Sequence, residues 1–213
     1  MMRRLLIAVA LMAPMTADVA AQDPTKTIPG SYKVAFENPH VRVVRVHYDA
    51  GAKLPEHTHP AGTTVYVYLT DSEGVTFKHV GGSNSSVTRP PVKAGGIRIA
   101  TGREEHHTAE NNSSQPSDFL RIFFKTEGDG SRNLRHRMPP GDDKYENKQM
   151  RITRLRIATH EEQTIDAREP ALLIELPSGN ERWVEAGKRE VVANHDARDL
   201  QLIRIDFLTG PGK

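Results

Sequence analysis

His57 and His59 stand two residues apart in PEHTHPAGTTVYVYLTD, Pro55 to Asp71, just ahead of an alternating Val/Tyr run. On an extended backbone alternate side chains share a face, and Cα atoms two residues apart are about 6.5 Å from each other. Two imidazoles at that separation can converge on one ion. The same pair also suits two exposed or hydrogen-bonded histidines on a turn, so the surroundings decide. Further along, TGREEHHTAEN, Thr101 to Asn111, supplies a glycine-containing turn, then His106 and His107, with Asn111 four residues past His107.

The elements that must position these side chains read as strands. VRVVRVHY (Val41 to Tyr48), TTVYVYLT (Thr63 to Thr70), GIRIAT (Gly96 to Thr101) and FLRIFFK (Phe119 to Lys125) are short and rich in β-branched or aromatic residues, the pattern of half-buried strands. Turn signals separate them: DAGAK, DSEG, GGSNSS, RPP and NNSSQPSD. Their close spacing predicts an all-β sandwich or barrel over residues 28–126. The stretch 127–144, EGDGSRNLRHRMPPGDDK, is rich in Gly, Pro and charge with no periodic apolar content and reads as a linker or long surface loop.

Beyond it the chain repeats. FENPHVRVVRV, Phe36 to Val46, returns as YENKQMRITRL, Tyr145 to Leu155, at an ungapped offset of 109 residues. VKAG (Val92 to Gly95) returns as VEAG (Val184 to Gly187), and FLRIFF is echoed by LIRIDF, Leu202 to Phe207. Residues 145–210 therefore form a second, shortened unit of the same kind. At the 109-residue offset His57 and His59 correspond to Asp166 and Arg168, and no counterpart of the His106-His107 segment is evident. Arginine cannot ligate a metal, so the expected chemistry belongs to the first unit alone.

Composition narrows that chemistry. The 213-residue chain is 37% hydrophobic and contains no cysteine, so any metal site must use His, Asp or Glu, and no disulfide framework exists. Residues 1–21 read as a signal peptide: Arg3-Arg4, an apolar run of about ten residues, then TADVAAQ with cleavage after Ala21. That run is too short for the roughly 20 residues of a membrane span, so a periplasmic or secreted protein, off the membrane after cleavage, is expected. With 29 basic against 27 acidic residues and no basic patch interleaved with aromatics, nucleic-acid binding is not expected. There is no G-x-S-x-G elbow and no phosphate-binding glycine loop.

With Gly51 separated from His57 by five residues, these features resemble the two cupin motifs, G-x5-H-x-H and a second glycine turn followed by H-x3-N. The first unit is similar to small bacterial cupin-domain proteins, and the repeat makes the mature chain resemble a bicupin with a degenerate second half. The resemblance implies tandem jelly-roll β-barrels, the second shortened, and a divalent metal held by His57, His59 and His107. The family pattern also expects a glutamate shortly after H-x-H, where this chain has Thr63 and Thr64; Glu105 is a candidate substitute.

Three neutral imidazoles suit Zn, Fe, Ni, Cu or Mn and leave positions open for a ligand. The expectation is a metal-binding protein with a small, anionic organic molecule at the barrel mouth, run as a dioxygenase, lyase or isomerase if it is an enzyme. The alternative is a metal-free module binding a sugar or carboxylate directly, or serving structure. The second unit is expected to close the first or to form a homodimer face. His40, His47, His79, His136, His160 and His195 have no partner at ligand spacing, His106 faces away from His107, and Trp183 and Asn111 read as packing and turn-fixing residues.

Overall fold

The computed structural model describes residues 23–81, 85–128, 130 and 133–210. The expected leader and part of GGSNSS lie outside them. A four-residue helix α1 (Pro24–Thr27) precedes β1 (Tyr32–Glu37), β2 (Val41–Tyr48), β3 (Lys53–His59), β4 (Gly62–Tyr68), β5 (Val75–His79), β6 (Ser86–Arg89), β7 (Ile97–Gly102), β8 (Glu105–Asn111) and β9 (Ser117–Phe124). Then come β10 (Arg135–Met138), β11 (Lys144–Glu146), β12 (Met150–Ile157), β13 (Glu162–Asp166), β14 (Ala171–Leu176), β15 (Glu181–Val184), β16 (Arg189–Ala193) and β17 (Leu200–Phe207).

A six-stranded sheet, β1-β2-β9-β4-β7-β10, and a four-stranded sheet, β3-β8-β5-β6, make the first unit. A five-stranded sheet, β11-β12-β17-β14-β15, and the pair β13-β16 make the second. All pairings are antiparallel, giving the all-β fold expected of jelly-roll units.

Strand alternation assigns each face. In β2, β4, β7 and β9 one phase (Val43, Val65, Ile99, Ile122) packs against Ile152, Leu172 and Ile205 of the five-stranded sheet in one continuous core. The opposite phase, with Val44, Tyr66 and Phe119, meets Leu54 and Phe77 of the four-stranded sheet inside the first unit. The second unit closes its own smaller core around Ile165, Leu173 and Leu202. Strands buried on both faces carry few exposed polar positions, which is why VRVVRV and FLRIFF read as near-continuous apolar runs.

The stretch 127–144 departs from the expected linker. Its residues Arg135–Met138 form β10, which pairs with β7 and sends Met138 into the shared core. Met138 and the partly buried Leu134 are the apolar side chains this edge supplies, too few and too unevenly spaced to show alternation. Gly179, at φ +72, sits where a Cβ would lie 2.6 Å from Leu69, and Arg45 donates to the Ser178 carbonyl at 2.9 Å beside it. The turn between β14 and β15 is thus fitted closely onto the first unit.

The repeat is visible down to single side chains. Asn38 Oδ1 accepts from the backbone N–H groups of His40 and Val41, and Asn147 Oδ1 does the same for Gln149 and Met150, all at 2.9 Å. Asn111 donates to the carbonyls of Asp49 at 2.9 Å and Gln115 at 3.1 Å. Asn194 makes the matching bonds to Ala158 at 3.0 Å and Arg198 at 2.9 Å. Asn38 and Asn147 fix the hairpins that open each unit, and Asn111 and Asn194 fix the turns joining its two sheets.

Candidate metal centre

β3 and β8 pair so that His57 lies opposite His107, one phase inward, with His59 two residues on. The three imidazoles come together with one ring nitrogen from each within 4.8 Å of the others, and all three residues are buried. Ring centroids lie 4.9 Å (His57–His59), 4.8 Å (His57–His107) and 5.2 Å (His59–His107) apart. The sequence-derived trio is therefore one cluster.

A β-bulge between Leu54 and His57 shapes this half of the site. It turns the Pro55 carbonyl to within 2.8 Å of His57 Nδ1, so Nδ1–H donates there and Nε2 carries the lone pair facing inward. Tyr32 lies 3.1 Å from that Nε2, and its hydroxyl is 2.6 Å from Tyr48 Oη. Burial pushes the Tyr32 phenol well up, with the neighbouring Tyr48 adding to it, so it stays protonated and donates to the imidazole.

Burial also drives all three histidines toward the neutral form. His57 is lowered by burial and the nearby Arg121, and His59 falls well below the usual range for the same two reasons. His107 is lowered to about 2 by burial, then by His57 and Arg89. Neither ring nitrogen of His107 has a hydrogen-bond partner. A buried donor and acceptor left unpaired cost about 1–3 kcal/mol each. A neutral histidine trio whose His107 nitrogens are both unpartnered, and whose His57 Nε2 is held only by the displaceable Tyr32 hydroxyl, fits a divalent metal.

Thr63 and Thr64 do not replace the expected glutamate in the same way. Thr63 follows the phase of Val65 toward the shared core and bonds Thr101 Oγ1 at 3.0 Å, whereas Thr64 lines a small cavity with His59, Arg98 and Arg121. Glu105, paired with His59 across the ladder, places Oε2 3.8 Å from His107 Nδ1 and 3.8 Å from an Arg89 nitrogen.

Other histidines sort as their surroundings dictate. His106 points outward, its Nε2 3.5 Å from Glu56, and His47 lies between Asp118 and Asp49. His79 is closer to the site than its sequence position suggests: it pairs with His107 and its ring centroid is 5.6 Å away. Trp183 packs between Phe36, His40 and Phe207 at the junction of the units.

Sequence reasoning missed the arginines and tyrosines opposite the histidines. Arg121, Arg98 and Tyr66 project from the inner face of the six-stranded sheet, Arg121 only 8% exposed. The available signal was phase: Arg121 shares parity with Phe119 and Phe123 in an apolar run. A cavity of about 270 Å³ opens beside His59 and Arg121, lined also by Tyr32, Val44 and Phe123 and roofed by Asp23 to Thr25 around α1. Arg42 holds that roof through Asp23 and Thr25 at 2.9 and 2.8 Å.

The second unit's correspondence needs correcting. Because Asn194 matches Asn111, β16 is the counterpart of β8 and Glu190 stands where His107 does. β13 lacks the bulge, so the residue opposite Glu190, and hence equivalent to His57, is Ile165 rather than Asp166. Ala167, not Arg168, then takes the place of His59. Both are buried in the second unit's apolar core.

No protein-family model and no curated protein matches the sequence. Among solved structures, YhhW from Escherichia coli superposes with a TM-score of 0.53 at 13% identity, covering 85% of this chain and 91% of its own. AerE from Microcystis aeruginosa gives a TM-score of 0.50 at 16% identity, covering 84% and 97%. Two antiparallel sheets with the G-x5-H-x-H pair on β3 facing the H-x3-N histidine on β8 decide the fold family. This is the cupin fold. Within it the histidine trio of the first unit lies between the two sheets, and the second unit carries none of it.

Proposed function

We propose that the first unit binds one divalent transition metal through His57, His59 and His107, and presents it to a small organic molecule held in the adjoining 270 Å³ cavity. The observation that carries this reading is His107, buried with both ring nitrogens unpartnered beside two other neutral imidazoles. An ion at this position would polarise a bound oxygen or activate water or dioxygen, which is the chemistry of a dioxygenase, lyase or isomerase.

The chain's own residues supply orientation and exclusion. The Pro55 carbonyl fixes the His57 tautomer and Tyr32 holds a proton at the histidine cluster. Tyr48 and Phe119 wall the interior off from water. Glu105 is the carboxylate near enough to complete the ligand set by a side-chain rotation. The protein is exported by residues 1–21, and the second unit stabilises the first by covering its outer sheet face.

The test is a metal panel on the untagged mature protein. Zn, Fe, Ni, Cu or Mn should raise the midpoint of thermal unfolding, and the His57→Ala/His59→Ala variant should lose that rise. A folded protein that gains no stability from any of them contradicts the reading and favours the metal-free module.

A further inference from the structure

Arg121 and Arg204 are the same residue in the two units. Arg121 lies opposite Val44 and Tyr66, and Arg204 opposite Thr153 and Leu173, at matching positions of the repeated ladder. In the second unit Arg204 is satisfied from within: Asp206 Oδ1 accepts from its Nε at 2.8 Å and its Nη2 at 2.7 Å. In the first unit the residue at the place of Asp206 is Phe123, and Arg121 Nε is buried without a partner.

Two further guanidinium groups share this wall. Arg98 and Arg89 flank the Tyr66 ring at 5.1 and 5.2 Å from its centroid. That stacking covers the faces of the guanidiniums and leaves their N–H edges, and Arg98 Nη1 is likewise buried without a partner. Among the described residues Glu105 is the one carboxylate lining the two small cavities, of about 30 and 10 Å³, that Arg121 borders here, while Asp23, Glu37 and Glu104 line the 270 Å³ cavity on its other side. With Arg103 and Arg135 also lining the 30 Å³ cavity, five arginines there face one acid. Buried guanidinium groups cost several kcal/mol unless an anion pairs with them; the 30 Å³ cavity admits a carboxylate-sized group, and the adjoining 270 Å³ cavity that Arg121 also lines has room for the rest of a small acid.

We infer that Arg121, flanked by Arg98 and Arg89, is the binding site for the carboxylate of a small organic acid, which takes the place that the Asp206 carboxylate fills in the second unit. Charge-assisted pairing of two guanidinium N–H groups with a carboxylate oxygen is the contact Asp206 already makes on Arg204. The acid's remaining atoms extend past His59 into the cavity between Tyr32, Val44 and Phe123. The inference deepens the function proposed above by naming its ligand class, and it stands on the arginines alone, so it is testable without metal.

Calorimetric titration of the metal-free mature protein with succinate and benzoate, and with benzamide and inorganic phosphate as comparisons, tests it. One carboxylate is expected to bind per chain, with benzamide and phosphate at least tenfold weaker. Arg121→Gln removes the cation, and Phe123→Asp supplies an internal carboxylate as in the second unit; each should weaken carboxylate binding at least tenfold, while Arg156→Gln on the surface of the second unit leaves it unchanged. Should Arg121→Gln fail to fold, Phe123→Asp decides. Equal binding to the Phe123→Asp variant, no binding of either acid at millimolar concentration, or preference for phosphate would each overturn the assignment. Repeating the titration with zinc separates it from the metal reading, since loss of metal binding with carboxylate binding intact breaks that reading and leaves this one standing.

Discussion

Where the first unit has His57 and His59 the second has Ile165 and Ala167, and where Arg121 stands unpaired Arg204 is closed off by Asp206. The asparagine-fixed turns and the register of the β2-β9 and β12-β17 ladders are the same in both. One framework thus supports an interior of neutral histidines and unpaired cations on one side of the shared core and an apolar interior on the other. The polar interior sacrifices stability that the apolar one keeps, which is the expected signature of a site shaped by binding rather than by folding.

Breaking the shared core should have the largest effect on this comparison. Leu172→Ala, in the face buried between the units, is expected to cost about 2–5 kcal/mol and to shift a single unfolding transition followed by Trp183 fluorescence and by circular dichroism. Two separate transitions, with only one moved, would show that the units are energetically independent.

Exchanging the interiors comes next. Ile165→His places an unpartnered imidazole in the apolar core and should destabilise the protein by about 1–3 kcal/mol. His107→Leu removes one from the first unit, and the metal-free protein should become more stable or stay unchanged by denaturant titration. A loss above about 2 kcal/mol for His107→Leu would mean that the histidine has a structural role its unpartnered nitrogens do not reveal.

A smaller effect follows from pH. The three histidines are held neutral in the folded state, with His107 lowered to about 2, while the unfolded chain protonates them near the ordinary value of 6.5. Their folded values lie below their unfolded ones, so the stability they permit is full above about pH 6.5 and is lost as pH falls below it. Each contributes at most about 1.4 kcal/mol per pH unit. The slope between pH 6.5 and 5 in metal-free protein should become shallower in His107→Leu.

Much of this was legible in the sequence, for reasons that differ by element. Strands β2, β4, β7 and β9 announce themselves because burial on both faces requires uninterrupted β-branched and aromatic residues. The His57-His59 pair was visible because period-two spacing survives in one dimension, and His107 joined it through the resemblance to the second cupin motif. The Ile165 correspondence was not, because a one-residue bulge changes the register without leaving a gap at the conserved ends of the repeat. Arg121 counted in the sequence only as one of the basic residues that form no patch, since a charged residue in an alternating run looks the same facing water or a cavity until the two sheets are packed.

Cobalt(II) titration of the metal-free mature protein, followed by its visible absorption, tests the account most directly. One equivalent per chain should saturate a tetrahedral or five-coordinate spectrum, and His107→Leu should abolish it while remaining folded. A stoichiometric spectrum retained in His107→Leu, or none in the unmodified protein, would contradict a metal centre built on His57, His59 and His107.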